Sequence, residues 1–210
     1  MIKVLVADDH AIVREGLKQI LAENSTIVVA GEASTAQEVI RKVQTGSWDV
    51  VVLDISLPDR SGLEVLKQIK NQFPTLPILV LTMHAEEQYA VRVLKAGASG
   101  YLTKESAPEQ LVEALQKVAR GGRYVSASLA ERLVFDLRSD PNKLPHESLS
   151  DREFQILCMI ASGKTLTEIA QELYVSIKTV STHRTRILQK MGMRNNAELI
   201  HYAITHSLIT

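Results

Sequence analysis

Val50-Val51-Val52-Leu53-Asp54-Ile55-Ser56-Leu57-Pro58-Asp59-Arg60-Ser61-Gly62 is the stretch that decides the fold of the first part of the chain. Its apolar run is continuous rather than alternating, the pattern of a strand buried on both faces of a parallel sheet. The carboxylate of Asp54 ends that run, and the following Pro and Gly shape a loop and the start of the next helix. Ser61–Gln72 then places Leu63, Leu66 and Ile69 on one helical stripe. The same alternation of pattern extends in both directions. Short apolar runs occur at Ile2–Ala7, Ile27–Gly31, Ile78–Leu81 and Gly100–Leu102. Ala11–Glu23 carries a stripe of Val13, Leu17, Ile20 and Leu21, and Pro108–Arg120 has Pro in its first turn and Gly121-Gly122 as its stop. Five successive βα units predict an α/β doubly wound, five-stranded parallel sheet covered by helices on both faces.

The chain has 210 residues, room for two small domains. Its formal net charge is zero, so no global field draws it to nucleic acid or membrane, and any such attraction is local. Cys158 is the single cysteine, which rules out an intrachain disulfide and fits a reducing cytoplasm. The apolar start is too short for a secretory signal, and no apolar run approaches the length of a membrane span. A cytoplasmic protein without membrane contact is expected.

After Gly122 the pattern changes. Ser126–Arg138 reads as one more helix capped by Ser126, followed by a polar stretch, Ser139 to His146, with two prolines. The expected division is therefore 1–121, a partly helical linker at 122–146, and a small all-α domain at 147–210. Cys158 is spaced with Phe154, Leu157 and Ala161 as a core residue, and Trp48 reads as packing before the third strand.

In an open parallel sheet, ligands gather at the carboxyl ends of the strands. Asp8 and Asp9 follow the first strand, Asp54 ends the third, Thr82 ends the fourth and Lys104 follows the fifth. Any one of these carboxylates alone reads as a turn former. Together they bring three carboxylates, a hydroxyl and an ammonium to one sheet edge. Grouped carboxylates repel, which favours a bound divalent cation, and hard oxygen ligands suit Mg²⁺. A carboxylate beside such a cation is a nucleophile toward phosphorus. Lys104 and the cation would neutralise the transferred oxygens, and Thr82 would donate a hydrogen bond to one of them. His10 and His84 flank the site, and the sequence assigns them no role.

Over about residues 1–121 these residues resemble the receiver domain of bacterial two-component response regulators. The resemblance implies the flavodoxin-like strand order 2-1-3-4-5, with Asp54 as the phosphoacceptor. It implies Mg²⁺ held by Asp9, Asp54 and the backbone carbonyl of Ser56, with Asp8 acting through water. It also implies that Thr82 and Lys104 contact the phosphoryl group and that Tyr101 is the aromatic that reorients on activation. Read without the resemblance, Tyr101 is an ordinary strand aromatic. Glu105 stands where many receivers carry Pro.

The second part carries seven Lys/Arg against six Asp/Glu, but their distribution is uneven. From Ser176 to Arg194 there are Lys178, Arg184, Arg186, Lys190 and Arg194 and no acidic residue, a charge excess suited to a phosphate backbone. Thr167–Leu173 reads as a helix with Ile169, Ala170 and Leu173 inward. Tyr174-Val175-Ser176 is then a tight turn, and Ile177–Met191 a second helix with a buried stripe of Ile177, Val180, Ile187, Leu188 and Met191. That is the helix-turn-helix layout, in which the second helix enters the major groove.

Leu149-Ser150-Asp151-Arg152-Glu153, Glu168-Ile169-Ala170, Val175 through His183 and Ile187 through Gly192 resemble the LuxR-type DNA-binding domain. With the receiver ahead of it, the whole chain is similar to the NarL/FixJ-type response regulators. The resemblance implies a four-helix domain that binds double-stranded DNA as a homodimer when active, under a cognate sensor histidine kinase. It places Ser181, Thr182 and Thr185 toward the groove, with Lys178, Thr179, His183, Arg184 and Arg186 at the phosphates; Lys190 belongs to the same basic surface. Asn195-Asn196 replaces an Arg frequent in relatives, so either a phosphate contact is lost or Asn caps the last helix. Short groove-facing side chains make no bidentate pairing with guanine, so modest base readout is expected, with DNA shape and dimer geometry adding specificity.

Two other readings compete. One is a DNA-binding regulator that works without phosphorylation. The other is a phosphatase acting through an aspartyl phosphate. The phosphatase needs a second acid near the nucleophile, and the residue two after Asp54 is Ser56, so no enzymatic turnover beyond self-phosphorylation and self-dephosphorylation is expected.

Overall fold

The computed structural model describes residues 1–83, 86–126, 129–130, 144–206 and 208–209, with the backbone alone at 86–88. The chain divides into two compact units, Met1–Glu131 and Arg132–Thr210. Among the described residues no helix is long and apolar enough to cross a membrane.

The first unit alternates strand and helix: β1 Ile2–Ala7, α1 Ala11–Ala22, β2 Ile27–Ala33, α2 Ala36–Thr45, β3 Val50–Leu53, α3 Gly62–Gln72, β4 Ile78–Thr82, α4 Glu86–Lys95, β5 Gly100–Thr103 and α5 Ala107–Ala119. All strand pairs are parallel and the order is β2-β1-β3-β4-β5, as expected. Every residue of β3 and β4 is buried, which is why those runs are apolar without alternation. On one face Leu17, Leu21, Leu111, Leu115 and Val118 from α1 and α5 join Val4, Val6, Val50, Val52 and Leu79 in one core. Neighbouring strand residues such as Leu5, Val51 and Leu53 are equally buried and alternate to the opposite face. There α2 and α3 bury Val39, Val43, Leu63, Leu66 and Ile69. Each large aliphatic side chain buried in this way contributes about 1.5–3 kcal/mol.

Strand β2 runs two residues past its expected end at Gly31, to Ala33. It is an edge strand with a register shift opposite Val4/Leu5, so only Ile27 and Ala33 are buried and the apolar pattern fades. Trp48 packs where a Cβ on Gly31 would stand, 2.4 Å from the ring, and its indole N–H donates to the Lys42 carbonyl at 2.8 Å. At the opposite edge, Tyr124 forms a bridge to Gly100, and the Tyr101 N–H donates to the Tyr124 carbonyl at 3.1 Å. That segment covers part of an otherwise open edge and carries the first unit past Gly121.

Most of the expected helix Ser126–Arg138 and of the expected linker lies outside the described residues. At its start the Ser126 hydroxyl accepts from the Leu129 N–H at 3.1 Å, the expected capping bond.

In the second unit a short 3₁₀ turn, Pro145–Ser148, precedes α6 Asp151–Ala161, α7 Leu166–Glu172, α8 Ile177–Met191 and α9 Asn196–Thr205. Each start has a sequence-encoded cap. Ser150 with Glu153 and Thr165 with Glu168 form reciprocal capping boxes, and Ser176 and Asn195 cap the last two helices. Asn195 therefore serves as a cap, one of its two readings. Helix α8 ends on Gly192 at φ 65°, the left-handed conformation that glycine adopts without strain. Phe154, Leu157, Cys158 and Ala161 are buried in α6 as expected.

Candidate phosphoacceptor site and DNA-binding surface

The carboxyl ends of β1, β3 and β5 bring Asp8, Asp54 and Lys104 into contact. The Lys104 ammonium lies 2.8 Å from Asp54 Oδ2 and 2.6 Å from Asp8 Oδ2. Backbone bonds set this placement: the Asp54 N–H donates to the Ala7 carbonyl at 2.9 Å, and the Lys104 N–H to the Thr82 carbonyl at 2.8 Å. Asp8 and Asp54 are 1% and 2% exposed, so their charges are largely out of water. Burial pushes the Asp54 carboxyl above its ordinary range, against the pull of Lys104, and Asp8 adds to the push. For Lys104 burial acts downward, but Asp54 and Asp8 outweigh it and raise its pKa.

Two buried carboxylate oxygens, Asp8 Oδ2 and Asp9 Oδ1, have no aligned hydrogen-bond donor. The contact of Asp8 Oδ2 with Lys104 is thus an ion pair, poorly directed as a hydrogen bond. Three carboxylates at one sheet edge, two of them with buried oxygens held by ion-pair contacts rather than aligned hydrogen bonds, form a donor set that fits a hard divalent cation. Arg14, which the sequence reading passed over, donates to the Asp8 carbonyl at 2.7 Å and to Glu32 at 3.0 Å. A cation one helical turn beyond the acidic pair is its sequence signal.

Thr82 is fully buried at the end of β4, and Tyr101 is 1% exposed within β5, opposite Val80. Ser56 donates its N–H to Asp54 Oδ1 at 3.2 Å, drawing the loop after β3 toward the carboxylate. Asp59, in the same loop, accepts from the N–H groups of Ala36 at 2.7 Å and Gln37 at 3.1 Å, so the loop is tied to the start of α2. Replacing Asp59 by Ala removes both bonds and a favourable charge–dipole contact, a loss of about 1 kcal/mol. Hydrogen exchange checks it: the Ala36 and Gln37 amides exchange faster in the variant. No peptide bond among the described residues is cis, Lys104–Glu105 included. His84 lies outside the described residues.

In the second unit α7 and α8 meet at a tight turn. Val175 N–H donates to the Ala170 carbonyl, and Tyr174 adopts a left-handed φ of 52°. Ile169, Ala170 and Leu173 are buried, as are Val180, Ile187 and Met191 of α8. Ile177 was expected in that buried stripe, but it is 50% exposed. Position 177 opens the helix beyond the reach of the partners that cover Val180, and Leu188 is only half-buried. Lys178, Thr179, Ser181, Thr182, Thr185 and Arg186 are exposed on α8, whereas His183 and Arg184 are half-buried. The Thr182 and Thr185 hydroxyls donate to the carbonyls of Lys178 and Ser181, which directs their protons into the helix.

Two basic residues expected at the phosphates are engaged within the unit. Arg184 donates to Asn196 Oδ1 at 2.6 Å. Lys190 donates to Glu153 Oε2 at 2.6 Å. Burial alone would raise the Glu153 carboxyl, but Lys190 and Ser150 bonds outweigh it and hold it below its usual range.

Residues 4–116 match the response regulator receiver domain family, and residues 147–203 match the luxR family of bacterial regulatory proteins. The chain belongs to the two-component response regulators of the NarL/FixJ type. Response regulator UvrY of Escherichia coli strain K12 is 38% identical to this response regulator, covering 99% of the chain and 96% of the relative. The oxygen regulatory protein NreC of Staphylococcus carnosus strain TM300 is 39% identical, covering 99% of both. Among solved structures, RcsB of Salmonella enterica serovar Typhimurium, bound to promoter rprA in the presence of the phosphomimetic BeF₃⁻, is 30% identical over the full length of both chains, with a TM-score of 0.66. Members of the family are DNA-binding regulators rather than turnover enzymes.

Proposed function

We propose that Asp54 of this regulator accepts a phosphoryl group from the phosphohistidine of a cognate sensor histidine kinase. The modified receiver then controls homodimer formation and the binding of double-stranded promoter DNA by α8. The observation that carries this reading is the clasp of Lys104 on Asp54 and Asp8 at the sheet edge, with the Asp9 carboxylate beside them.

A carboxylate oxygen of Asp54 attacks phosphorus and forms the new P–O bond of an acyl phosphate. The P–N bond breaks, and its electron pair stays on the imidazole nitrogen of the kinase. Water later attacks the same phosphorus, the P–O bond breaks, and inorganic phosphate leaves with Asp54 restored. Lys104 faces the oxygens that gain charge, and Thr82 offers them a hydroxyl. Asp8, Asp9, Asp54 and the Ser56 carbonyl would hold Mg²⁺, which supplies charge neutralisation when bound.

Phosphorylation replaces a carboxylate of charge −1 by an acyl phosphate of about −1.5 to −2 and adds bulk and acceptor oxygens. It draws in Thr82 and reshapes the Leu81–Gly100 surface together with Tyr101, so one conformation is favoured over another. In this reading 1–121 is the switch, 122–146 the linker and 147–210 the reader, all working in the cytoplasm. Lys178, Thr179, His183 and Arg186 contact phosphates, and Ser181, Thr182 and Thr185 face the bases. Arg184 and Lys190 chiefly hold α8 in place.

Intact mass after incubation with acetyl phosphate and Mg²⁺ tests the chemistry. The wild type gains one phosphoryl group and Asp54→Ala gains none. An equal gain in the variant would refute Asp54 as the acceptor.

A further inference from the structure

His10, the residue after the acidic pair and the N-cap of α1, brings a nitrogen to the same pocket. Its Nδ1 lies 2.7 Å from Asp9 Oδ1 and 3.4 Å from Asp8 Oδ1. One donor atom each from Asp8, Asp9, His10 and Asp54 lies within 4.8 Å of all the others, the span of a single coordination shell. The His10 N–H donates to Asp8 Oδ1 at 2.9 Å, which fixes its backbone to the pocket. The ring itself is 61% exposed, so it turns with little packing cost. Asp9 turns its buried Oδ1 toward the ring, and Asp8, with only 2% of its side chain exposed, presents Oδ1 to the same side while its Oδ2 faces Lys104.

We infer that His10 is a further protein ligand of the cation pocket, and that it makes the receiver favour Ni²⁺ over Mg²⁺ by more than oxygen ligands alone would. The inference rests on reading the acidic pocket as a cation site. In the ligated state the imidazole carries its one proton on Nε2 and gives the Nδ1 lone pair to the metal, which takes the place of the proton between Nδ1 and Asp9 Oδ1. Mg²⁺ is hard, keeps its waters and gains little from imidazole, and Mn²⁺ also favours oxygen, whereas Ni²⁺ binds imidazole well. Lys104 approaches Asp8 and Asp54 without touching His10 or Asp9, leaving the histidine side of the pocket to the metal.

The test uses the full chain and His10→Gln. Pulsed electron paramagnetic resonance of bound Mn²⁺ reads directly coordinated nitrogen. Titrations with Mn²⁺ and Ni²⁺ give affinities, and Mg²⁺ is read by competition against Mn²⁺. The wild type should show a coordinated nitrogen that His10→Gln lacks. Ni²⁺ should bind the variant about 10-fold or more weakly, with Mg²⁺ changed by less than about 2-fold and Mn²⁺ falling between them. Absence of nitrogen coupling in the wild type, or an equal change for all three ions including none, overturns the role of His10 and leaves the cation pocket intact. A wild type that binds neither Mn²⁺ nor Mg²⁺ overturns the pocket reading itself.

Discussion

Replacing Gly62 with alanine is expected to slow phosphoryl uptake at Asp54 by roughly 100-fold and to destabilise the receiver by about 3 kcal/mol. A Cβ at position 62 would stand 2.1 Å from the Asp54 carbonyl oxygen and 2.7 Å from the Ile55 Cα. Both are backbone atoms, so no side-chain rotation relieves the overlap. The Gly62 N–H also donates to the Ile55 carbonyl at 2.8 Å, which closes the loop tightly under Asp54. The alanine variant must therefore move Asp54 relative to Lys104, with which its carboxylate is paired. Acetyl phosphate time courses read by intact mass measure the rate, and urea unfolding measures the stability. Gly16→Ala is the control: it sits in α1 with nothing within 4 Å of the added carbon, and it should leave the rate unchanged.

The second large effect lies in the DNA-binding unit. Lys190→Met leaves the Glu153 carboxylate, 4% exposed, without its ammonium partner. Removing one member of a fully buried pair costs about 3–5 kcal/mol, but Lys190 is 42% exposed, so the expected loss is about 2 kcal/mol. The pH dependence has a definite sign. Because the folded state holds Glu153 below its ordinary range, the unfolded chain binds the extra proton between the two pKa values. The stabilisation is therefore complete above the unfolded carboxylate pKa of roughly 4.3 and fades as pH falls through the folded value. Glu153→Gln should lose less stability on acidification below about pH 4.3 than the wild type does. Urea midpoints taken across that range check both variants, and identical acid slopes would remove Glu153 from the account.

The sheet and the acidic site were legible because both faces of the sheet are covered. Burial on two sides demands unbroken apolar runs, and β3 and β4 read cleanly for that reason. Edge position explains the poorer reading of β2, where Glu32 lies in the strand while its carboxylate bonds Arg14 and Lys18. The convergence of Asp8, Asp54 and Lys104 followed from strand order alone. Side-chain partners across units of structure were less visible. Nothing in the spacing of Lys190 and Glu153, or of Arg184 and Asn196, announces that two basic residues of α8 bond inward. Periodicity also overreached at Ile177, because a stripe drawn along a helix ignores that its first turn can project past the core. Gly62 read as a residue that shapes the loop and the next helix start, and Asp59 carried no reading of its own; only the folded loop reveals that Asp59 grips α2 and that Gly62 leaves space for the Asp54 carbonyl.

Under the proposed function, the state of Asp54 governs where α8 binds. Genome-wide DNA occupancy, compared between the wild type and Asp54→Ala at matched protein levels, tests it most directly. Discrete sites occupied by the wild type under inducing conditions and lost from Asp54→Ala are the expected result. Matching occupancy maps for the two proteins would contradict it.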